Sequence, residues 1–163
     1  MRILIVSDTH REDEALKLLL EENAPLDMLI HLGDAEGSEM MYKNWLPLST
    51  RLIVLKGNND FFSDLESERS IRIGNSNCLL THGHYYNVSL DTSLLRREAE
   101  ARGFDIAMFG HTHRPLIETR NGVTLLNPGS LSYPRQEGRQ GSYILMETDS
   151  AGNVDYTLNF LKE

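Results

Sequence analysis

The chain of 163 residues contains a single cysteine, Cys78, and so cannot close an intrachain disulfide. A reducing cytoplasm is therefore the expected setting. Long apolar runs are missing as well. The longest have four residues, such as 3–6, whereas a membrane-spanning helix needs about 20. The N-terminal apolar stretch is also too short for a signal peptide. Repeats, low-complexity tracts and linker-like segments are absent, so residues 1–163 are expected to form one domain. Basic residues are in deficit, 16 against 24 acidic, for a formal net charge of −8. That balance argues against an extended nucleic-acid surface or an anionic-membrane face. Taken alone, it argues against an anionic substrate too.

What is present is a series of short, apolar strands. Residues 3–6, 28–32 and 52–55 read as strands buried on both faces, with helices expected over 11–23 and 36–44 between them. The order β-α-β-α-β implies a parallel sheet with right-handed crossovers. The second half is richer in strands. Residues 70–73 and 77–81 form a hairpin pattern around Gly74-Asn75, and a helix over 90–102 ends on Gly103. Strands are then expected at 105–109, 116–119, 123–126, 142–147 and 154–161, the last with one wet face. Two sheets with helices outside them account for this order.

Polar residues cluster where these strands end. Ser7-Asp8-Thr9-His10, His31-Leu32-Gly33-Asp34, Gly57-Asn58-Asn59-Asp60, Thr81-His82-Gly83-His84 and Gly110-His111-Thr112-His113 each follow or close a strand. Ligands of open α/β sheets sit beyond the carboxyl ends of the strands, so five clusters would meet on one rim. Their Asp, His and Asn content suits divalent transition metals. If the chain stays extended there, the pairs Asp8/His10 and His111/His113, two apart, each point one way. Singly, each cluster is an ordinary turn or helix cap; five in order are not ordinary. His31, within its strand and out of phase with Asp34, reads as a packing or supporting residue. Cys78 reads as a small buried hydrophobe. The acidic stretch Glu12-Asp13-Glu14 reads as a solvated helix face.

The ordered series Asp8-x-His10, Gly33-Asp34, Gly57-Asn58-x-Asp60, His82 and Gly110-His111-x-His113 resembles the calcineurin-like metallophosphoesterase superfamily. The short length, Asn127-Pro128-Gly129-Ser130 and Pro134-Arg135 are similar to its small prokaryotic phosphodiesterase branch. The resemblance implies a four-layer α-β-β-α sandwich with two divalent ions on its rim, manganese first and iron, nickel, cobalt or zinc as alternatives. Carried over by position, Asp8, His10 and His113 would take one ion, Asn58, His82 and His111 the other, and Asp34 would bridge them. A bridging hydroxide would then attack a small phosphoester in line. Two dications outweigh Asp8, Asp34 and the hydroxide, so the site stays cationic on an acidic protein. The larger relatives carry a histidine where this chain has Asn59, which cannot donate a proton to a leaving group. His84 is the candidate donor, or else a partner of His82; metal-bound water is the alternative source. Asn58 and Arg135 are candidate phosphate-binding residues.

The resemblance leaves three activities to separate: a phosphodiesterase, a phosphomonoesterase on the same site, and a non-catalytic scaffold like the retromer subunit of this fold. All seven ligand positions carry competent residues, which favours an enzyme. Homodimers or homotetramers are also consistent with the branch. Trp45, Phe61, Phe62, Tyr85 and Tyr86 are open to pocket, contact or core roles.

Overall fold

The computed structural model describes residues 1–162. Its elements are β1 (Arg2–Val6), α1 (Glu14–Glu22), β2 (Met28–His31), α2 (Glu39–Trp45), β3 (Arg51–Val54), β4 (Glu68–Ile73) and β5 (Ser76–Thr81). A short 3-10 turn (His84–Tyr86) follows, then α3 (Ser93–Ala101), β6 (Ile106–Met108), β7 (Pro115–Arg120), β8 (Val123–Pro128), β9 (Ser142–Thr148) and β10 (Val154–Phe160). They make two five-stranded mixed sheets, ordered β10-β9-β1-β2-β3 and β4-β5-β6-β8-β7. No helix among the described residues is long and apolar enough to cross a membrane.

Strand alternation sorts the apolar side chains into layers. In β1, Ile3 and Ile5 face the other sheet and pack with Ile30, Leu80, Met108 and Leu126. Leu4 and Val6 face the opposite way, onto Leu16, Leu19 and Leu20 of α1 and Tyr42 of α2. Across the sandwich, Leu79, Ala107 and Leu125 cover Leu95 and Ala99 of α3. The expected four-layer α-β-β-α sandwich is the fold observed. Cys78 lies fully buried between the sheets, and burial pushes its thiol up to about 12.

The ends of elements depart from the sequence reading in ways that concern the site. α1 begins at Glu14 rather than at residue 11 because His10 and Arg11 hold left-handed backbone conformations. α2 likewise begins at Glu39 because Glu36 and Gly37 have positive φ. α3 starts at Ser93, whose backbone N–H donates to Asp91 Oδ1 (2.9 Å). Gly103 closes that helix with φ +74°, as expected. Asp13 does not belong to a solvated face: it is buried and accepts a hydrogen bond from Tyr42 Oη. In β10, Val154, Tyr156 and Leu158 pack on the core, but Phe160, at the strand end, is exposed.

Candidate metal centre

In the first sheet β1, β2 and β3 are parallel, and in the second so are β5, β6 and β8. Each leads with its carboxyl end into a polar loop, and the loops from both sheets meet on one rim. Backbone hydrogen bonds tie them together: Asp8 N donates to Gly33 O (3.0 Å), His10 N to Asp34 O (2.9 Å) and Gly110 N to His82 O (3.0 Å). A sixth loop joins after β8, where Ser130 Oγ donates to Asp8 O (2.7 Å). Asn127 Nδ2 donates to Gly110 O (3.0 Å).

The backbone turns sharply here instead of staying extended. Asp8, His10, Asp34, His111 and His113 have φ between 49° and 67°. Such left-handed conformations cost about 1–3 kcal/mol each in a non-glycine residue and persist where packing imposes them. The expectation that His111 and His113 point one way is therefore overturned. His113 turns toward His10, their Nε2 atoms 3.1 Å apart, while His111 Nδ1 lies 2.9 Å from Asn58 Oδ1. Asp8 and His10 do converge, at 3.8 Å.

Two groups of donors result. Asp8 Oδ1 stands 3.2 Å from His113 Nε2 and 3.8 Å from His10 Nε2. Asn58 Oδ1 stands 3.0 Å from His82 Nε2 and 2.9 Å from His111 Nδ1. Asp34 lies between them, its Oδ2 3.4 Å from His82 Nε2 and 3.8 Å from His10 Nε2. Asp8, His10 and His113, and also Asp8, Asp34 and His82, offer atoms close enough together to hold an ion. Asp8 thus reaches toward both groups, as Asp34 does.

Supporting contacts turn these atoms toward the centre. His10 Nδ1 meets Glu36 Oε1, His82 Nδ1 meets Leu32 O and His113 Nδ1 meets Tyr133 O, each at 2.7 Å. Each partner accepts a proton from Nδ1, which leaves Nε2 with a lone pair for a cation. Asp8 Oδ2 accepts from Ser7 Oγ (2.6 Å) and His111 N (2.9 Å). Asp8 Oδ1 is buried and has no hydrogen-bond partner among the described residues. A buried anionic oxygen left unpartnered beside three imidazole nitrogens is costly unless a cation meets it. The residues therefore fit a divalent ion. Burial raises the Asp8 pKa, but the neighbouring His113 and His82 rings and the hydrogen bond from Ser7 Oγ outweigh it, so the carboxyl stays below its usual value.

Two polar residues do work the sequence did not disclose. Asn59 donates to both oxygens of Asp34, from N (2.8 Å) and from Nδ2 (2.9 Å). Asp60, buried, accepts from the backbone N–H groups of Asp34 (2.8 Å), Glu36 (2.7 Å) and Gly57 (2.6 Å). Gly57 leaves no room for a side chain, since a Cβ there would stand 2.5 Å from Asp34 N. The one available signal was position: both polar residues lie within the strand-end cluster.

His31 supports the site from below, as expected of a packing residue. Gly33 N donates to its Nδ1 (3.2 Å), so the remaining proton sits on Nε2, which faces Thr9 Oγ1 at 3.1 Å. Burial, opposed by Asp8, Asp60 and Asp13, pushes its pKa down to about 4. An unfolded His31 takes up a proton below pH ~6.5 and the folded one only near 4, so the unfolded state binds more protons in that window. Stability should fall as pH drops through it, by up to about 3 kcal/mol from this group. Melting wild type and His31→Gln between neutral and acid pH checks this; parallel curves would refute it.

His84 and Arg135 stand apart from the donor groups. The His84 ring lies 5.4 Å from that of His82 and 6.1 Å from that of His111, with no hydrogen bond to His82 among the described residues. Its Nδ1 is buried without a partner among the described residues. Burial, with His82 and His111, lowers its pKa, which disfavours the protonated form a donor requires. Arg135 is exposed on the wall of an adjoining cleft, and its backbone N donates to His113 O (3.0 Å). Of the aromatics, Trp45 packs against Tyr42, while Phe61, Phe62 and Tyr85 are exposed.

Residues 1–151 match the calcineurin-like phosphoesterase superfamily domain. A probable metallophosphoesterase of Bacillus subtilis, YsnB, is 33% identical over 153 residues, which cover 93% of this chain and 88% of that protein. A phosphodiesterase of Methanocaldococcus jannaschii is 29% identical over 147 residues, covering 79% of this chain and 83% of the relative. The crystal structure of Vps29 from Entamoeba histolytica complexed with zinc superposes with a TM-score of 0.77 over 98% of this chain and 99% of that one. At 22% identity it speaks for the fold alone. With a family match over nearly its whole length and strand-end loops that gather aspartate, histidine and asparagine on one rim, the chain belongs to the calcineurin-like phosphoesterase superfamily.

Proposed function

We propose that the chain is a phosphodiesterase that hydrolyses small phosphodiesters with the help of two divalent cations, manganese by preference. The observation that carries this reading is the buried, unpartnered Oδ1 of Asp8 beside the Nε2 atoms of His10 and His113. Asp8, His10 and His113 would hold one ion, Asn58, His82 and His111 the other, and Asp34 would reach both. When bound, such ions polarise phosphoryl oxygens and supply a nucleophile at neutral pH.

The chain's own residues arrange the rest. Glu36, Leu32 O and Tyr133 O keep the Nδ1 proton of three histidines away from the centre. Asn59 fixes the carboxylate plane of Asp34 through two hydrogen bonds. Asn58, neutral, contributes a carbonyl oxygen without cancelling positive charge and keeps an amide that can donate to a phosphate oxygen. Arg135, next to His113, can pair with another. For the leaving-group proton we favour water over His84, whose lowered pKa keeps the imidazole neutral near pH 7.

The relative named a phosphodiesterase supports the preference for diesters over monoesters. The scaffold reading is less supported, because every position of the proposed ligand set carries a competent donor. Purified protein reloaded with manganese should cleave bis(p-nitrophenyl) phosphate faster than p-nitrophenyl phosphate. A faster monoester would move the activity to a phosphomonoesterase. Absence of bound metal and of turnover with every divalent ion would return the chain to the scaffold reading.

A further inference from the structure

We infer that the cleft beside the metal centre binds a second phosphate carried by the substrate, so that the preferred diesters are those whose organic substituent is itself phosphorylated. The inference deepens the phosphodiesterase reading and rests on it.

The cleft opens from His10 and His113 and has a volume of about 1040 Å³, at the upper end of the roughly 300–1,000 Å³ of small-molecule sites. Its wall carries three exposed arginines, Arg114, Arg135 and Arg139, against one carboxylate, Glu36. That carboxylate already faces His10 Nδ1 at 2.7 Å. None of the three guanidinium groups makes an ion pair among the described residues. In a chain with 24 acidic residues, three unpaired arginines on one wall are a local reversal of the protein's overall charge.

Backbone geometry fixes two of them. Arg114 follows His113 directly, and Arg135 N donates to His113 O at 3.0 Å. Both also line the neighbouring groove with Thr112 and Pro115, so the positive band continues past the cleft. Tyr133, half-exposed, sets its ring edge-on to His10, with centroids 5.4 Å apart, and gives a flat ring something to lie against. A simple diester has one negative charge, which the cations and Arg135 already meet. Arg114 and Arg139 are then surplus unless the substrate brings further anionic oxygens, and guanidinium groups bind phosphate in paired fashion.

The test compares the p-nitrophenyl ester of thymidine 5′-phosphate with the same ester bearing an added 3′-phosphate, using the manganese-loaded protein. The added phosphate should raise kcat/KM by about 10-fold or more, the worth of one or two charge-assisted hydrogen bonds. In Arg114→Gln/Arg139→Gln that ratio should fall toward one. Calorimetry gives a readout without turnover: wild type should bind thymidine 3′,5′-bisphosphate more tightly than thymidine 5′-phosphate, and the double variant should lose the difference. Equal kcat/KM for the two esters in wild type, or an undiminished ratio in the double variant, would overturn the inference. If no diester is cleaved, bis(p-nitrophenyl) phosphate included, the phosphodiesterase reading fails instead. The calorimetric comparison then decides the cleft alone.

Discussion

Asp34→Ala is expected to abolish metal-dependent diester hydrolysis while leaving the fold intact. Asp34 Oδ2 stands 3.4 Å from His82 Nε2 and 3.8 Å from His10 Nε2, so one carboxylate serves both donor groups. Burial raises its pKa, yet His82 and Asn59 more than offset this and hold the carboxyl well below its usual range. It is therefore an anion at any pH where the protein works. Removing it takes negative charge from between five neutral donors. Loss of a supporting partner costs about 10–100-fold in metal affinity or activity, and loss of a shared ligand should exceed about 100-fold. Asn59→Ala supplies the comparison: it keeps the carboxylate but frees its plane, and should fall within that 10–100-fold range. Metal content and initial rate with bis(p-nitrophenyl) phosphate, measured on both variants, check the order. An Asp34→Ala protein that retains metal and rate would refute the shared-ligand role, and with it the proposed pairing of the two donor groups.

The contrast between Asp34 and Asn59 also marks what a sequence discloses and what it hides. Asp8, Asp34, His82 and His111 were legible because each follows an apolar strand of unmistakable composition, and parallel strands deliver their ends to one rim. The layers were legible for a related reason. Ile3 and Ile5 against Leu4 and Val6 alternate between two apolar environments, so buried strands with helices outside were implied. The roles of Asn59 and Asp60 were hidden, because Asn59 meets the carboxylate of Asp34 and Asp60 the backbone N–H groups of Asp34 and Glu36, about 25 residues earlier, and no sequence pattern marks either contact. Local backbone conformation was hidden too. Nothing about Asp8 or His111 as residue types announces φ of 55° or 67°; the loops that cross-link at Gly33, Asp34 and His82 impose it. That is why the two histidines of Gly110-His111-Thr112-His113 part to different donor groups. It is also why α1 and α2 start three residues later than their apolar pattern suggests.

Asp60→Ala should be the most destabilising single change at the rim, although Asp60 reaches no proposed ligand atom through its side chain. Its Oδ2 accepts from Asp34 N and Gly57 N, and its Oδ1 from Glu36 N, all between 2.6 and 2.8 Å. The residue is 4% exposed, so water cannot readily replace it. Alanine would leave three buried or half-buried N–H groups without acceptors, at about 1–3 kcal/mol each, for a total on the order of 3–6 kcal/mol. Those same N–H groups set the left-handed turn at Asp34 and bring Gly57 against it, so the metal-binding geometry should loosen with the fold. Asp60→Asn separates the two contributions. It preserves volume and one carbonyl oxygen, but its amide N–H groups would confront the donors that the second oxygen now accepts. Its melting point should therefore lie between wild type and Asp60→Ala. Added manganese should recover part of the difference by favouring the folded state, as any ligand specific to that state does. If Asp60→Ala melts within about 1 kcal/mol of wild type, the three backbone donors have found other partners, and the loop between β3 and β4 is not the clasp that holds Asp34 in place.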